Sequence, residues 1–289
     1  MAALWAASVF ARPAALAEGA LLPIGTSEAE LAPPRYTHGY WGAGDARPFV
    51  SAKIDLGVPY TKPALSIGYG MPHWIWAGVD VNAITTLEFA QTYAGVRAAS
   101  PILDLSFGAR DTWSYEKTFL TTPPFTRDDV LNAPGSKARY WAWEFEAVAS
   151  APLPYSAVVA DFIIVRTLDV PAGRYVYDES YRLIVKSSQF YILRMAAVAR
   201  LLRQDALKIG VLAVHIFGTG RGQGVWQLGP AGALQLTDHL EIVAALALHV
   251  SGPDALGLSL GAYGVGGFRY RWASGEKSPA LPWSGPLVF

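Results

Sequence analysis

The chain has 289 residues, 23 basic and 23 acidic side chains and no net formal charge; 52% of it is hydrophobic, 16% charged, and cysteine is absent. Such a balance excludes a nucleic-acid binder, which needs a basic surface to neutralise phosphates, and a disordered chain, which lacks this apolar content. It excludes disulfides and thiolate metal sites too, while the length allows one domain with a sizeable core.

A mean hydropathy of +0.24 raises the question of membrane helices, which need about 20 mostly apolar residues. The longest uncharged stretch, 63–79, has 17 residues and is broken by Gly68, Gly70, Pro72 and His73. The stretch 222–237 carries three glutamines, a proline and four glycines. Neither reads as a spanning helix, so the apolar residues serve other elements.

Residues 1–17 are small and apolar and end on Ala15-Leu16-Ala17, a signal-peptide-like segment with an A-x-A cleavage pattern. It departs from that pattern in having no Lys or Arg ahead of the apolar run and Arg12 within it. Residues 18–47, with Pro33-Pro34, read as an extended lead-in, and 48–289 as a single domain.

From residue 48 onward the period is two, the mark of strands with unlike faces. In 50–58, Val50, Ala52, Ile54, Leu56 and Val58 oppose Ser51, Lys53, Asp55 and Gly57. In 101–116, Leu103, Leu105, Phe107, Trp113 and Tyr115 oppose Asp104, Ser106, Gly108 and Arg110. The same alternation runs through 238–251 and 256–272, with Glu241, His249, Arg269 and Arg271 on the polar face. Weaker alternation marks 63–71, 73–84, 86–98, 138–149, 155–168, 181–187, 189–202, 206–217, 223–236 and 281–289; only 192–202 also admits a helical period. Connections such as Thr85-Thr86, Ala99-Ser100 and Thr237-Asp238 are short and suit antiparallel neighbours. The long one, 117–136, is polar and is the expected partner-contact loop. Using both 63–71 and 281–289 gives fourteen strands, and using neither gives twelve.

These segments are longer than the five or six residues usual in soluble sheets and match the 9–11 or so that cross a bilayer when tilted. Their second face carries Gly, Ser, Thr, Ala and few charges, which suits a barrel lumen, whereas the first suits hydrocarbon. Trp113, Tyr115, Trp141 and Trp143 flank the long loop, and Tyr270 and Trp272 end the segment 256–272; together they form an expected aromatic girdle.

On this pattern the chain resembles bacterial outer-membrane β-barrel proteins. The resemblance spans about 48–289 and rests on the alternating strands, the signal-like start and the ends Gly267-Phe268-Arg269-Tyr270-Arg271-Trp272 and Leu287-Val288-Phe289. No family-specific motif carries it. It implies an all-β, antiparallel up-and-down transmembrane barrel of 12–14 strands in the outer membrane of a Gram-negative bacterium. Such barrels commonly end on an aromatic residue, which Phe289 matches, but Pro282 and Pro286 make an uncomfortable final strand.

Charges on the polar faces supply the lumen candidates. Asp80, Glu88, Asp104, Glu144, Glu146 and Asp161 fall in the first half with Arg97 and Arg110, and Arg182, Lys186, Arg194, Arg200 and Lys208 follow. On a closed wall the two sets would occupy different arcs and polarise a constriction for small solutes. Membrane lipids and small solutes are the expected partners, with no nucleic acid. The alternatives are a receptor-type or structural barrel with a filled lumen, a lipid hydrolase using His249 and Ser251 at i and i+2, and a secreted soluble β-protein holding an apolar ligand. On the strand parity His249 faces the lumen, away from lipid, so no catalytic residue is expected. His38, His73, His215, His239 and His249 lack metal-ligand spacing, and Gly218-Thr219-Gly220-Arg221-Gly222 lacks the Lys-Ser/Thr of a phosphate loop, so neither a metal nor a cofactor is expected.

Overall fold

The structure is a computed structural model and describes residues 41, 45–58, 60–115, 119–121, 135–136, 139–153, 156–168, 170–178, 180–181, 183–186, 189–201, 206–220, 224–252 and 263–275. The signal-like segment 1–17, most of the lead-in and the segment 281–289 lie outside these residues.

Twelve strands form the wall: β1 (Arg47–Val58), β2 (Thr61–Met71), β3 (Ile75–Thr85), β4 (Phe89–Ala99), β5 (Leu103–Ser114), β8 (Arg139–Leu153), β9 (Ser156–Thr167), β12 (Gln189–Leu201), β13 (Leu207–Phe217), β14 (Val225–Gln235), β15 (Leu240–Ser251) and β16 (Tyr263–Ala273). Each pairs antiparallel with its neighbours, and β1 closes on β16, from Ser51↔Ala273 to Val58↔Gly266. Closure leaves no edge, as a sheet in hydrocarbon requires. Four short strands, β6 (Phe119–Leu120), β7 (Gly135–Ser136), β10 (Tyr175–Asp178) and β11 (Leu183–Val185), form a separate sheet in the order β11-β10-β6-β7.

The count of twelve comes from a different set of strands than either expected count. Segment 63–71 belongs to the wall as β2. Segment 181–187 does not: among its described residues only 183–185 is extended, and it pairs with β10 instead. Its neighbourhood, with Gly173 at φ +74 and turns at 180–181, breaks the chain into pieces too short to cross a bilayer. Segment 192–202 is strand, because β12 is held on both sides by β9 and β13.

The wall strands are 11 to 15 residues long, enough to span hydrocarbon at the usual tilt. Val50, Ile67, Val79, Val96, Phe107 and Leu248 are among the large apolar side chains left exposed on the outside. In a soluble sandwich this face would be the packed one; here the apolar face is outside and the charged one within.

Both wall termini, and the connections 72–74, 100–102, 154–155, 202–206 and 236–239, lie at one end of the barrel. Connections 115–138, 168–188, 218–224 and 252–262 lie at the other, beside two short ones. Trp113, Tyr115, Trp141 and Trp143 are exposed on the outside at this loop end. A ring ladder continues them across β9, β12, β13 and β14: Phe162 on Tyr191, Tyr191 on Phe217, Phe217 on His215 and His215 on Trp226, with centroids 4.1–6.1 Å apart. Tyr270 and Trp272 lie at the opposite end, because β16 runs back towards the terminal rim. The six expected girdle residues are therefore divided between the two ends of the barrel.

At the terminal end the turn 71–74 carries Pro72 and then His73 at φ +61, the pattern of a type II turn, closed by Trp74 N–H to the Met71 carbonyl at 3.1 Å. A non-glycine residue is disfavoured there. His73 is held by a 3.1 Å hydrogen bond to the Trp272 carbonyl and by the Trp41 ring, 4.6 Å away at 79°. Trp41 Nε1–H also donates to the Asp238 carbonyl at 3.1 Å, so the end of the lead-in docks on two terminal turns.

Candidate functional site in the barrel lumen

Residues opposite each other across a ladder share a face, so the registers fix which charges point inward. Asp80, Asp104, Arg110, Glu144, Glu146, Asp161, Arg194, Arg200 and Lys208, all expected in the lumen, lie on inward faces. Glu88 does not: it sits in the connection 86–88, whose backbone folds on the Thr86 hydroxyl, because β4 begins only at Phe89. Lys186 is exposed at the loop end, with its amide on the Thr219 carbonyl and its ammonium 5.9 Å from the Tyr175 ring centroid. Arg182 is outside the described residues.

Segment 175–185 is folded into the loop-end mouth of the lumen. Leu183, Val185 and Tyr181 share one core with the inward residues Phe190, Ile192 and Val214, while Leu120, Tyr177 and Ile184 form the small sheet's own core. Arg110 on β5 pins the segment through Asp178 at 2.5 Å, with both side chains fully buried. Asp178 also accepts the Tyr181 amide at 3.2 Å, and the Tyr181 hydroxyl donates to Glu144 at 3.0 Å. Burial, with the Glu144 charge second, raises the Tyr181 phenol well above its ordinary range and keeps it a donor. The guanidinium carbons of Arg110 and Arg194 stand 5.2 and 5.8 Å from the Tyr181 ring centroid. Ser180 reaches Gln91 on β4.

The remaining inward charges form compact groups. Arg97 bridges Asp104 at 3.0 Å and Asp80 at 3.2 Å, and Asp80 accepts the Ser66 hydroxyl at 2.8 Å. Arg194 lies 3.4 Å from Asp161, and Ser106 donates to Glu146 at 3.2 Å. On β1, β15 and β16, Arg269 binds Asp55 at 2.7 Å and Arg271 binds Glu241 at 3.0 Å. Arg200, at the terminal end, donates to the Leu153 carbonyl at 2.6 Å. Pairing of this kind is what a low-dielectric interior demands, since an uncompensated buried charge is strongly destabilising.

Sequence reasoning missed the group Lys53, Asp55, Lys62, Glu241, Arg269 and Arg271, although the alternation that put most of these on a polar face was a sufficient signal. It also missed Asp178 and Tyr181, for which no signal existed, because an inward-folded loop has no periodicity. Taken by arc, Asp80, Asp104, Glu144, Glu146 and Asp178 exceed Arg97 and Arg110 by three acids on the β3–β8 side. Arg194, Arg200 and Lys208 exceed Asp161 by two bases on β9–β13, and Lys53, Lys62, Arg269 and Arg271 exceed Asp55 and Glu241 by two on β15–β2. An acidic arc thus stands between two basic ones.

The two halves of the lumen differ in kind. The inward faces of β9, β12, β13, β14 and β15 are dominated by buried Val, Ile and Ala, including Val159, Ile163, Val198, Val214 and Val243. On β1–β4, inward Lys53, Lys62, Ser66, Asn82 and Arg97 are only half-buried. His249 faces the lumen opposite Gln227, and Ser251 is exposed at the strand end opposite Trp226, across a register shift between Trp226 and Gln227. Among the described residues no group of three or more His, Asp or Glu could hold a metal ion.

No family model matches the chain, and no curated protein matches it in sequence. Solved structures similar to it include a porin, 11% identical with a TM-score of 0.34 over 73% of this chain and 62% of the porin. Others are the loop-deleted outer membrane protein OmpT of Vibrio cholerae, 9% identical with a TM-score of 0.36 over 80% of this chain and all of that one, and the β domain of the Bordetella autotransporter BrkA, 14% identical with a TM-score of 0.37 over 78% and 99%. The chain spans less than two thirds of the porin's length. These neighbours are bacterial outer-membrane β-barrels.

Proposed function

We propose that this chain, which has the outer-membrane β-barrel fold, resides in the outer membrane of a Gram-negative bacterium and serves as a narrow channel for small polar solutes. The division of the lumen carries this reading. The β9–β15 side is closed by its own apolar packing, whereas on β1–β4 the inward Lys53, Lys62, Ser66, Asn82 and Arg97 are only half-buried, beside buried Asp55, Asp80 and Gln91. The inserted segment 175–185, pinned by Arg110, confines passage to that polar side, beside ion pairs that hold Arg97 in place. Preorganised charges next to a narrow water path are the usual means of selecting solutes.

Reconstitution in planar bilayers tests the proposal: small, stepwise conductance is expected, with slow entry of sugars into liposomes. A silent bilayer together with impermeable liposomes would overturn it in favour of a structural barrel with a filled lumen, the reading that the packed β9–β15 half favours. A lipid hydrolase through His249 and Ser251 is the weaker reading, because the imidazole lies on the lumen side, away from the acyl chains.

A further inference from the structure

We infer that the inward faces of β1 and β2 hold a binding site for a small oxyanion, a carboxylate or phosphate group, centred on Lys53 and Lys62. This deepens the channel reading, which supplies the route of access. Asp55 stands opposite Arg269 on one side and Lys62 on the other, and Lys53 stands opposite Arg271. All six charges of the group, with Glu241 opposite Arg269, share the inward face.

The acids here are already taken. Asp55 accepts two hydrogen bonds from Arg269, at 2.7 and 3.3 Å, and Glu241 accepts one from Arg271 at 3.0 Å while lying 3.6 Å from Arg269. A planar guanidinium matches a carboxylate better than an ammonium does, so the two arginines hold the two acids. Among the described residues, Lys53 and Lys62 have neither a hydrogen-bond partner nor a carboxylate within ion-pair distance.

Neither ammonium is thus bound by an acid, although Asp55 stands opposite Lys62, and Lys53 faces Arg271 directly across the ladder. Like charges directly opposite destabilise a sheet. An anion between them relieves that repulsion and replaces the hydrogen bonds each ammonium lost on partial burial. The oxyanion suits them because it offers several acceptors to groups with three donors each. Other inward neighbours are small, Ala64 opposite Lys53 and Ser66, whose hydroxyl is already given to Asp80. Asp80 and Glu144, on the acidic arc, lie within the field of Lys62, so the bound anion is drawn to the β1–β2 wall and away from β3–β8.

Isothermal titration of the full chain in nonionic detergent, with inorganic phosphate and succinate as probes, tests the site. Saturable binding of at least one probe is expected, weakened tenfold or more in the Lys53→Gln/Lys62→Gln double variant and retained in Lys53→Arg. Heat-modifiable gel migration identifies folded variants. Equal binding by wild type and double variant, or binding of neither probe by wild type, overturns the proposal. Bilayer recordings separate it from the channel reading. Binding without conductance retains the site and removes the channel, and conductance without binding does the reverse.

Discussion

Arg110 and Asp178 are both fully buried and form one ion pair, with Glu144 as a second acid 3.6 Å from Arg110. Breaking such a pair by removing one partner costs about 3–5 kcal/mol. The inserted segment 175–185 can instead leave the lumen and let Arg110 hydrate. Asp178→Ala is therefore expected to make this segment susceptible to limited proteolysis while the wall stays folded, read by gel migration of the cleaved and uncleaved barrel. Adding Arg110→Ala should cost less than the sum of the single changes, since the two residues share one ion pair. At the other end, burial, with the Arg271 charge second, pushes the His73 imidazole down to about 3, against the hydrogen bond to Trp272. A histidine held neutral in the fold stabilises it fully above its ordinary value of about 6.5, and loses that contribution as pH falls from there towards 3. The thermal midpoint of the barrel should fall between pH 7 and pH 4, and less so in His73→Asn, which also tolerates the positive φ.

At the scale of the strand, parity is the property to test. Val79 on β3 faces outward near mid-span and Asn82 faces inward. An arginine on the lipid face at the midplane costs about 2–4 kcal/mol, whereas a lumen position can hydrate it. Val79→Arg should lower the denaturation midpoint in lipid vesicles, and Asn82→Arg should leave it nearly unchanged. Gly78 makes a separate test. It pairs with Gly68, and a Cβ there would meet the Ile67 carbonyl oxygen and the Gly68 Cα. Gly78→Val forces β2 and β3 apart, so refolding yield from urea into vesicles should drop sharply, a change that Ala83→Val on the outer face of the same strand should not reproduce.

For the molecule as a whole, the outward apolar face predicts extraction only with detergent, and closure on β16 predicts migration that changes on boiling. Carbonate-resistant membrane fractionation and paired heated and unheated gels check both; extraction by buffer alone would favour the soluble reading. Much of this architecture was legible beforehand, for a physical reason. A strand between lipid and lumen must alternate, so Val50, Ile54 and Leu56 against Lys53 and Asp55 declared both the element and its faces. Segment 63–71 was harder to count because Gly68 and Gly70 weaken its inward face, yet hydrogen bonds to β1 and β3 make it wall. Segment 181–187 misled because Leu183 and Val185 alternate just as a wall strand does, although their neighbours across the ladder belong to β10.

The sequence by itself determined the class of fold and the inside and outside of the clearly alternating strands, since these depend on residues two apart on one strand. Only the tertiary structure decided how the charges are partnered. Asp178 meets Arg110 and Asp55 meets Arg269 across 68 and 214 residues of chain, respectively, distances over which no local period carries information. The neutral total of 23 bases and 23 acids likewise says nothing of arcs. Closure of the wall brings β16 beside β1 and sets Lys53 and Lys62 among arginines that already hold the acids, leaving two positive charges on a part of the wall that adjoins the acidic arc.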